Sequence, residues 1–395
     1  MDKIINISII SKIDYFSTSK IDMKHFLSIV FLFLSFIGYT QNGGDNVYEF
    51  LNVPVGARVG ALGGDAIAIK DNDPNIALNN PSILSPEMHS MVSLTYMNYF
   101  ADINYGFFSY TSHFNKLGTF SGGVKYINYG RFLETDDGGN ELGEFTAGEY
   151  AFVLGWGKNI DTNFSVGANL KPVYSSLYTY KSIGLLADIS GTYYNPKREF
   201  VTSILIKNIG RQLTTYIEEG EREPVPFEVQ LGISKKLKHL PLRLSLNLNQ
   251  LQDWNIAYND STYLTNSNKK LSDEERAERN KTSMFNEMFR HATIGAELMP
   301  SKNFSLRFGF NYKRRAELSL QQKPGLVGFS WGVGVRIKKF HLSYGSARYH
   351  LAGSSNHFTL TTNISEYYKR NRVPAEPKPE KVKKPKKEKK QKEEK

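Results

Sequence analysis

The chain has 395 residues, no cysteine, 32 glycines, 13% aromatic residues and a formal net charge of +11. Absence of cysteine rules out a disulfide scaffold and any thiolate ligand or nucleophile, and a mean hydropathy of −0.41 rules out a bundle of membrane helices. Ten Lys and five Glu after Pro374 hold nearly half of the charge excess, and no RNP, zinc-finger or helix-turn-helix pattern accompanies it, so the charge does not point to nucleic acid.

Residues 1–22 are irregular and mostly polar and read as an upstream extension. Met23 then opens Lys24-His25, an apolar run from Phe26 to Ile37, and Gly38-Tyr39-Thr40. A basic start, a short apolar run and a small-x-small ending form a secretory signal over residues 23–40. The run is too short for a spanning helix. N-terminal sequencing of the mature protein checks this reading, a first residue near Gln41 being expected.

Residues 41–90 have another texture, rich in Gly and Ala from Val53 to Ala66 and carrying Asn79-Asn80-Pro81-Ser82. Small residues allow backbones to approach closely. The segment is too short to stand alone and suits a compact plug, or hatch, inside something larger. Gly60, Gly63, Gly64, Asn80 and Pro81 are its defining residues, and Val53, Val55, Val59, Leu62, Ile67 and Ile69 are its apolar ones.

From Met91 to Tyr368 period-two alternation returns again and again. It is clear in Ala292, Ile294, Ala296 and Leu298, then, after the turn Pro300 to Asn303, in Phe304, Leu306, Phe308, Phe310 and Tyr312. Counting every such run gives about fourteen strands, many roughly 9 to 12 residues long, the length that crosses a bilayer at a tilt. Their links sort by parity. Long ones (131–144, 210–226, 252–288, 314–326) follow odd strands, and short ones follow even strands. Transmembrane barrels have short turns at one end and long loops at the other, so the fold class expected is all-β, an antiparallel transmembrane β-barrel with an N-terminal hatch. A secreted β-rich repeat protein is the alternative. On the barrel reading Lys171, Asp188, Glu228, Arg243, Glu297, Arg307, Arg336 and Lys338 face a polar lumen, and both chain termini lie in the periplasm of a Gram-negative bacterium, with the long loops extracellular.

Two segments stand apart. In the longest loop Ser272 to Glu275 fits a capping box, and Met284, Phe285, Met288 and Phe289 fall on one helical stripe. The stripe either packs onto the barrel rim or docks a partner protein. Residues 369–395, of Lys, Glu and Pro, are too polar to bury a core and read as a disordered tail.

No catalytic set emerges. Gly328-Phe329-Ser330-Trp331-Gly332 matches a nucleophile-elbow pattern, but strand alternation runs through it to Ile337. Asp71, Asp73 and Asn75 imitate the start of a calcium loop, with Ile76 where Gly is required. No metal-ligand spacing is seen among the histidines. The expectation is a protein that is not an enzyme and needs no cofactor or metal.

The runs Tyr48 to Arg58, Ala61 to Gly64, Ala77 to Pro81 and Tyr96 to Gly106 resemble the PorQ family, outer-membrane components of the type IX (Por) secretion system. More broadly they are similar to fatty-acid-transporter-like barrels, which have fourteen strands and a hatch with an Asn-Pro-Ala motif. Ser82 replaces the Ala here. The resemblance implies a scaffold for protein secretion at the cell surface, holding PorZ beside PorU and PorV, with outer-membrane lipid around it. The second function expected is transport of hydrophobic small molecules across the outer membrane.

Overall fold

The structure, a computed structural model, describes residues 46–100, 102–256, 284–319, 325–350 and 353–368. The signal segment, the capping box at Ser272 and the Lys-rich tail lie outside these residues.

Fourteen antiparallel strands close into one barrel in chain order, β1 pairing with β14 from Met91 and Asn363 to Asn98 and Asn356. They run β1 Met91–Asn98, β2 Asn104–Phe114, β3 Gly118–Thr135, β4 Glu141–Asn159, β5 Phe164–Leu177, β6 Tyr180–Asn195 and β7 Phe200–Thr214. The second half is β8 Glu228–Lys236, β9 Leu242–Leu248, β10 Ala292–Ser301, β11 Phe304–Asn311, β12 Phe329–Ile337, β13 Phe340–His350 and β14 Gly353–Asn363. The alternation has the cause inferred for it. Leu94, Phe152, Phe308, Trp331 and Phe358 point outward and are about half exposed, while Ser93, Lys171, Asp188, Glu297, Arg307 and His357 point inward and are buried. An apolar outer band around a polar interior, with no open sheet edge, is the build of an outer-membrane barrel.

Turn chemistry ends the strands at the short end. Asp161 accepts hydrogen bonds from the amides of Asn163 (2.6 Å) and Phe164 (2.7 Å), closing the link from β4 to β5. Lys338 sits at φ 54° in the two-residue turn between β12 and β13. It therefore belongs to a turn and not to the lumen, and Arg336 beside it has a half-exposed side chain at the mouth.

Strand lengths depart from the expectation, with β3 of 18 residues and β4 of 19. The stretch expected as a long loop from 131 to 144 is mostly hairpin, paired from Arg131 with Thr146 to Thr135 with Glu141. At the end of β11 the alternation expected to run through Tyr312 stops at Asn311. The Asn311 carboxamide oxygen accepts from the Arg314 amide (2.9 Å) and starts a helix, Tyr312–Leu318. A side-chain cap outweighs one more alternating residue.

The hatch fills the lumen with short pieces: a 3₁₀ turn Glu49–Asn52, helix α1 Ala57–Ala61, helix α2 Pro74–Asn79 and two further 3₁₀ turns up to Met88. We number the Met284–Arg290 helix α3 and the Tyr312–Leu318 helix α4. The Val47 amide donates to Pro224 in the link between β7 and β8, at the long-link end, whereas Met91 begins β1 at the short-turn end. The hatch thus runs the length of the lumen. The described chain enters the barrel at the long-link end and leaves at Tyr368 at the short-turn end.

Candidate functional site: the hatch and its two anchorages

The hatch meets the wall differently on its two sides. Against β9 to β13 the contact is ionic and glycine-based. Arg58, on α1, donates to Asp71 (2.7 and 2.9 Å), to Asp73 (3.3 Å) and to Glu297 of β10 (2.6 Å). Arg243 of β9 bridges Asp71 and Glu297 at 2.9 Å each, and Arg307 of β11 reaches Glu297 at 2.9 Å. Three guanidiniums face three carboxylates, so the cluster is neutral, and buried charges persist only when paired in this way. Burial by itself would push the Asp71 carboxyl up, but the guanidiniums of Arg58 and Arg243 hold it well below the usual carboxylate range. The same pairing, against the effect of burial, raises Arg58 well above its ordinary value.

Backbone contact surrounds this cluster. A Cβ on Gly309 of β11 would lie 2.2 Å from the Gly63 nitrogen and 2.3 Å from the Leu62 carbonyl carbon. Gly63 itself has φ +103°, and a Cβ there would meet Thr293 at 2.4 Å. The wall lacks side chains where the hatch backbone lies on it, and the hatch turns where only Gly turns easily. Gly60 abuts His357 and Gly64 abuts Arg314. Gly332, from the elbow-like motif, faces Ala61, while Ser330 donates to the Ala61 carbonyl (3.0 Å). That serine fastens the hatch.

Asn80 and Pro81 form a second polar anchorage, against β5 to β7. The Asn80 carboxamide donates to the Ile67 carbonyl (2.6 Å) and accepts from the Ser82 amide (3.1 Å) and hydroxyl (2.6 Å). Ser82 in turn contacts Thr192 (2.6 Å) and receives Ser190 as acceptor for its amide (3.0 Å). The Ser in place of Ala thus has one hydroxyl partner on the wall, Thr192, that an Ala would lack.

Towards the long-link end, facing β1 to β6, the contact turns apolar. Val47, Tyr48, Phe50 and Leu51 pack with Met97, Tyr105, Ile127, Ala151, Val173 and Leu186. One cation completes it, Lys125, whose ammonium donates to the Leu51 (3.0 Å) and Val53 (2.7 Å) carbonyls. Of the hatch's apolar residues, Val59, Leu62 and Ile69 pack into the hatch's own apolar cluster, and Val55 packs with Leu78, Phe107 and Val153. A polar recess of about 300 Å³ lies at the short-turn end, lined by Arg58, Asp73, Glu87, Lys302, Arg336 and His341 among others.

Asp65 holds the remaining side of the hatch, its carboxylate accepting from Asn249 (2.9 Å) and Gln230 (3.3 Å). Burial, with the Glu228 carboxylate nearby, pushes it up to about 6.

On α3 the orientation is the reverse of rim packing. Glu287 is buried and accepts from the Ile256 amide (2.6 Å), while Met284 and Phe285 are 74% and 72% exposed and Met288 and Phe289 are about half exposed. Among the described residues, only Phe289 of the four finds a ring nearby, Tyr312 at 5.8 Å. Buried Glu287 takes the face that would have carried the stripe down onto the barrel. Sequence reasoning missed Arg58 as the hub of the ionic cluster. Its one signal was that it is the single cation in the Gly- and Ala-rich run from Val53 to Ala66.

No protein-family model matches the chain, and no curated protein does. Among solved structures it is similar to the Ralstonia pickettii toluene transporter TbuX, at 12% identity and a TM-score of 0.46, over 79% of this chain and 98% of that one. The Pseudomonas putida toluene transporter TodX aligns at 11% identity and 0.46, over 78% and 96%, and a Pseudomonas aeruginosa FadL homologue at 11% and 0.43, over 79% and 99%. The resemblance to secretion-system components rests on the sequence runs alone.

Proposed function

We propose that this chain is a non-enzymatic outer-membrane barrel, closed by its hatch, that anchors a surface partner. The observation that carries this is the filled lumen. Hatch backbone lies directly on wall glycines and a neutral six-group ion cluster pins it there, leaving the outward-facing parts to do the work. With the long links outside, α3 presents Met284, Phe285, Met288 and Phe289 to the cell surface, the residue types that anchor protein interfaces. By the resemblance to PorQ the expected partner is PorZ, within an attachment complex with PorU and PorV.

The test is recovery of partners on the tagged barrel after mild detergent extraction. Recovery of a surface protein, reduced when Met284, Phe285, Met288 and Phe289 are changed to Ser, supports the reading. A barrel that purifies alone, with secretion intact after deletion of residues 272–290, contradicts it.

The second reading is transport of hydrophobic small molecules. The comparisons lean this way, since TbuX and TodX are toluene transporters, yet at 12% and 11% identity they lend their fold and not their cargo. Its own support in this chain is the apolar wall of Tyr105, Ile127, Val173 and Leu186, which would line a chamber if the Tyr48 to Leu51 turn withdrew. Uptake of labelled fatty acid that survives loss of the α3 stripe and fails on deletion of the hatch favours it.

A further inference from the structure

The six short turns and the strand ends flanking them (115–117, 158–163, 195–199, 235–241, 301–303 and 336–340) hold eleven Lys and Arg against two Asp and Glu. Every one of the six carries at least one cation: Lys116, Lys158, Lys197, Lys238, Lys302 and Lys338 are all exposed. Among the described residues only Lys236 and Arg336 of the eleven have a carboxylate within 4 Å, at 3.9 Å from Glu199 and 3.7 Å from Glu366. At the long-link end the charge is mixed, with Lys313, Arg314 and Arg315 against Glu317 on α4 and acidic stretches elsewhere. The hairpin tip 134–141 holds Glu134, Asp136, Asp137 and Glu141 with no cation, and 218–223 holds four Glu against Arg222.

The position of the cations along the barrel says what they meet. In four of the six turns a cation lies beside an exposed apolar side chain: Leu117 next to Lys116, Ile160 near Lys158, Leu240 near Lys238, Ile337 between Arg336 and Lys338. Lys339 stands over the Tyr367 ring at 4.1 Å from its centroid. Apolar and cationic groups alternating within one turn mark the edge of the apolar band, where a long Lys stem stays in hydrocarbon and its ammonium reaches the headgroups.

We propose that this end of the barrel is a collar that selects anionic phospholipid headgroups in the leaflet it faces. An acidic protein would cover one arc, whereas the cations occupy the whole circumference, as a lipid annulus does. Attraction of this kind grows with each Lys or Arg near the headgroups and falls off within a Debye length. The collar is independent of the anchoring role proposed above.

The purified mature barrel, in detergent micelles doped with equal phosphatidylglycerol and phosphatidylcholine, is re-purified and its retained lipid quantified. Phosphatidylglycerol should be enriched by about threefold or more at low salt and fall towards parity in 0.5 M NaCl, the range over which surface charges are screened. Changing Lys116, Lys197, Lys238 and Lys338 to Gln should abolish the enrichment while the folded barrel keeps its heat-modifiable mobility on gels. Changing Arg131, Lys181, Arg211 and Arg222 to Gln, at the long-link end, should leave it intact. No enrichment in the wild type, or equal loss in both variants, overturns the proposal. Binding of poly-glutamate at low salt without lipid selection also overturns it, in favour of an acidic protein.

Discussion

The two sides of the hatch hold to the barrel by different physics. On the β9 to β13 side the contact is charge and bare backbone: Arg58, Asp71 and Glu297 in one network, Gly63 on Gly309. On the β1 to β6 side it is Tyr48, Phe50 and Leu51 among apolar wall residues. An ionic clasp demands every partner, because each removal strands an opposite charge out of water. An apolar clasp loses strength in proportion to what is cut away. The first gives register, and the second gives a part of the hatch that can loosen by degrees.

The comparison breaks most sharply at Arg58. Arg58→Ala leaves Asp71 and Glu297 short of their partner and should cost about 3–5 kcal/mol of hatch docking, read as protease cleavage within residues 46–90 of the folded barrel. Phe50→Ala, on the other side, should cost about 3 kcal/mol by lost burial and cavity formation. Exposure to protease should then stay at the long-link end, and added salt should not change it. Cleavage spread along the whole hatch in both variants would erase the distinction.

Overpacking is milder. Gly309→Val forces a side chain against the Gly63 and Leu62 backbone and should cost about 1–3 kcal/mol, lowering the temperature at which the barrel loses its compact gel mobility. Gly122→Val, on the outer face where a Cβ meets nothing within 4 Å, serves as the control and should change little.

The smallest effect is acid–base. The Asp65 carboxyl, raised to about 6 in the docked hatch from its ordinary 3.8, binds its proton more tightly there than in a released one. Docking is therefore favoured below the ordinary value and weakens as pH rises through about 6. Hydrogen exchange of the Gly63 to Ala66 amides should be slower at pH 5 than at pH 7 after correction for intrinsic rates, and Asp65→Asn should remove the difference. Asp71 works in the opposite sense: its depressed carboxyl stabilises above the ordinary range, and that part is lost only as pH falls through its depressed value.

The wall was legible because a strand writes its surroundings into every second residue. Phe304, Leu306, Phe308 and Phe310 announce β11 with no knowledge of its neighbours, and turns such as Asp161 to Asn163 are local chemistry. Arg336 and Lys338 misled because alternation does not mark where a strand leaves the lumen for its turn. The hatch was legible in kind, through its glycines, and closed to reading in detail. Gly309 meets Gly63, and Arg58 meets Glu297, across 246 and 239 positions of chain respectively, and no spacing rule spans such distances. On α3 the stripe was visible, and its direction was set by buried Glu287, whose partner Ile256 lies 31 positions earlier in the same long link.

Electrical recording from the purified wild-type barrel in a planar lipid bilayer tests the sealed lumen most directly. The account predicts insertion with no stable ion-conducting step, and steps that appear in Arg58→Ala. A persistent open conductance in the wild type would contradict it.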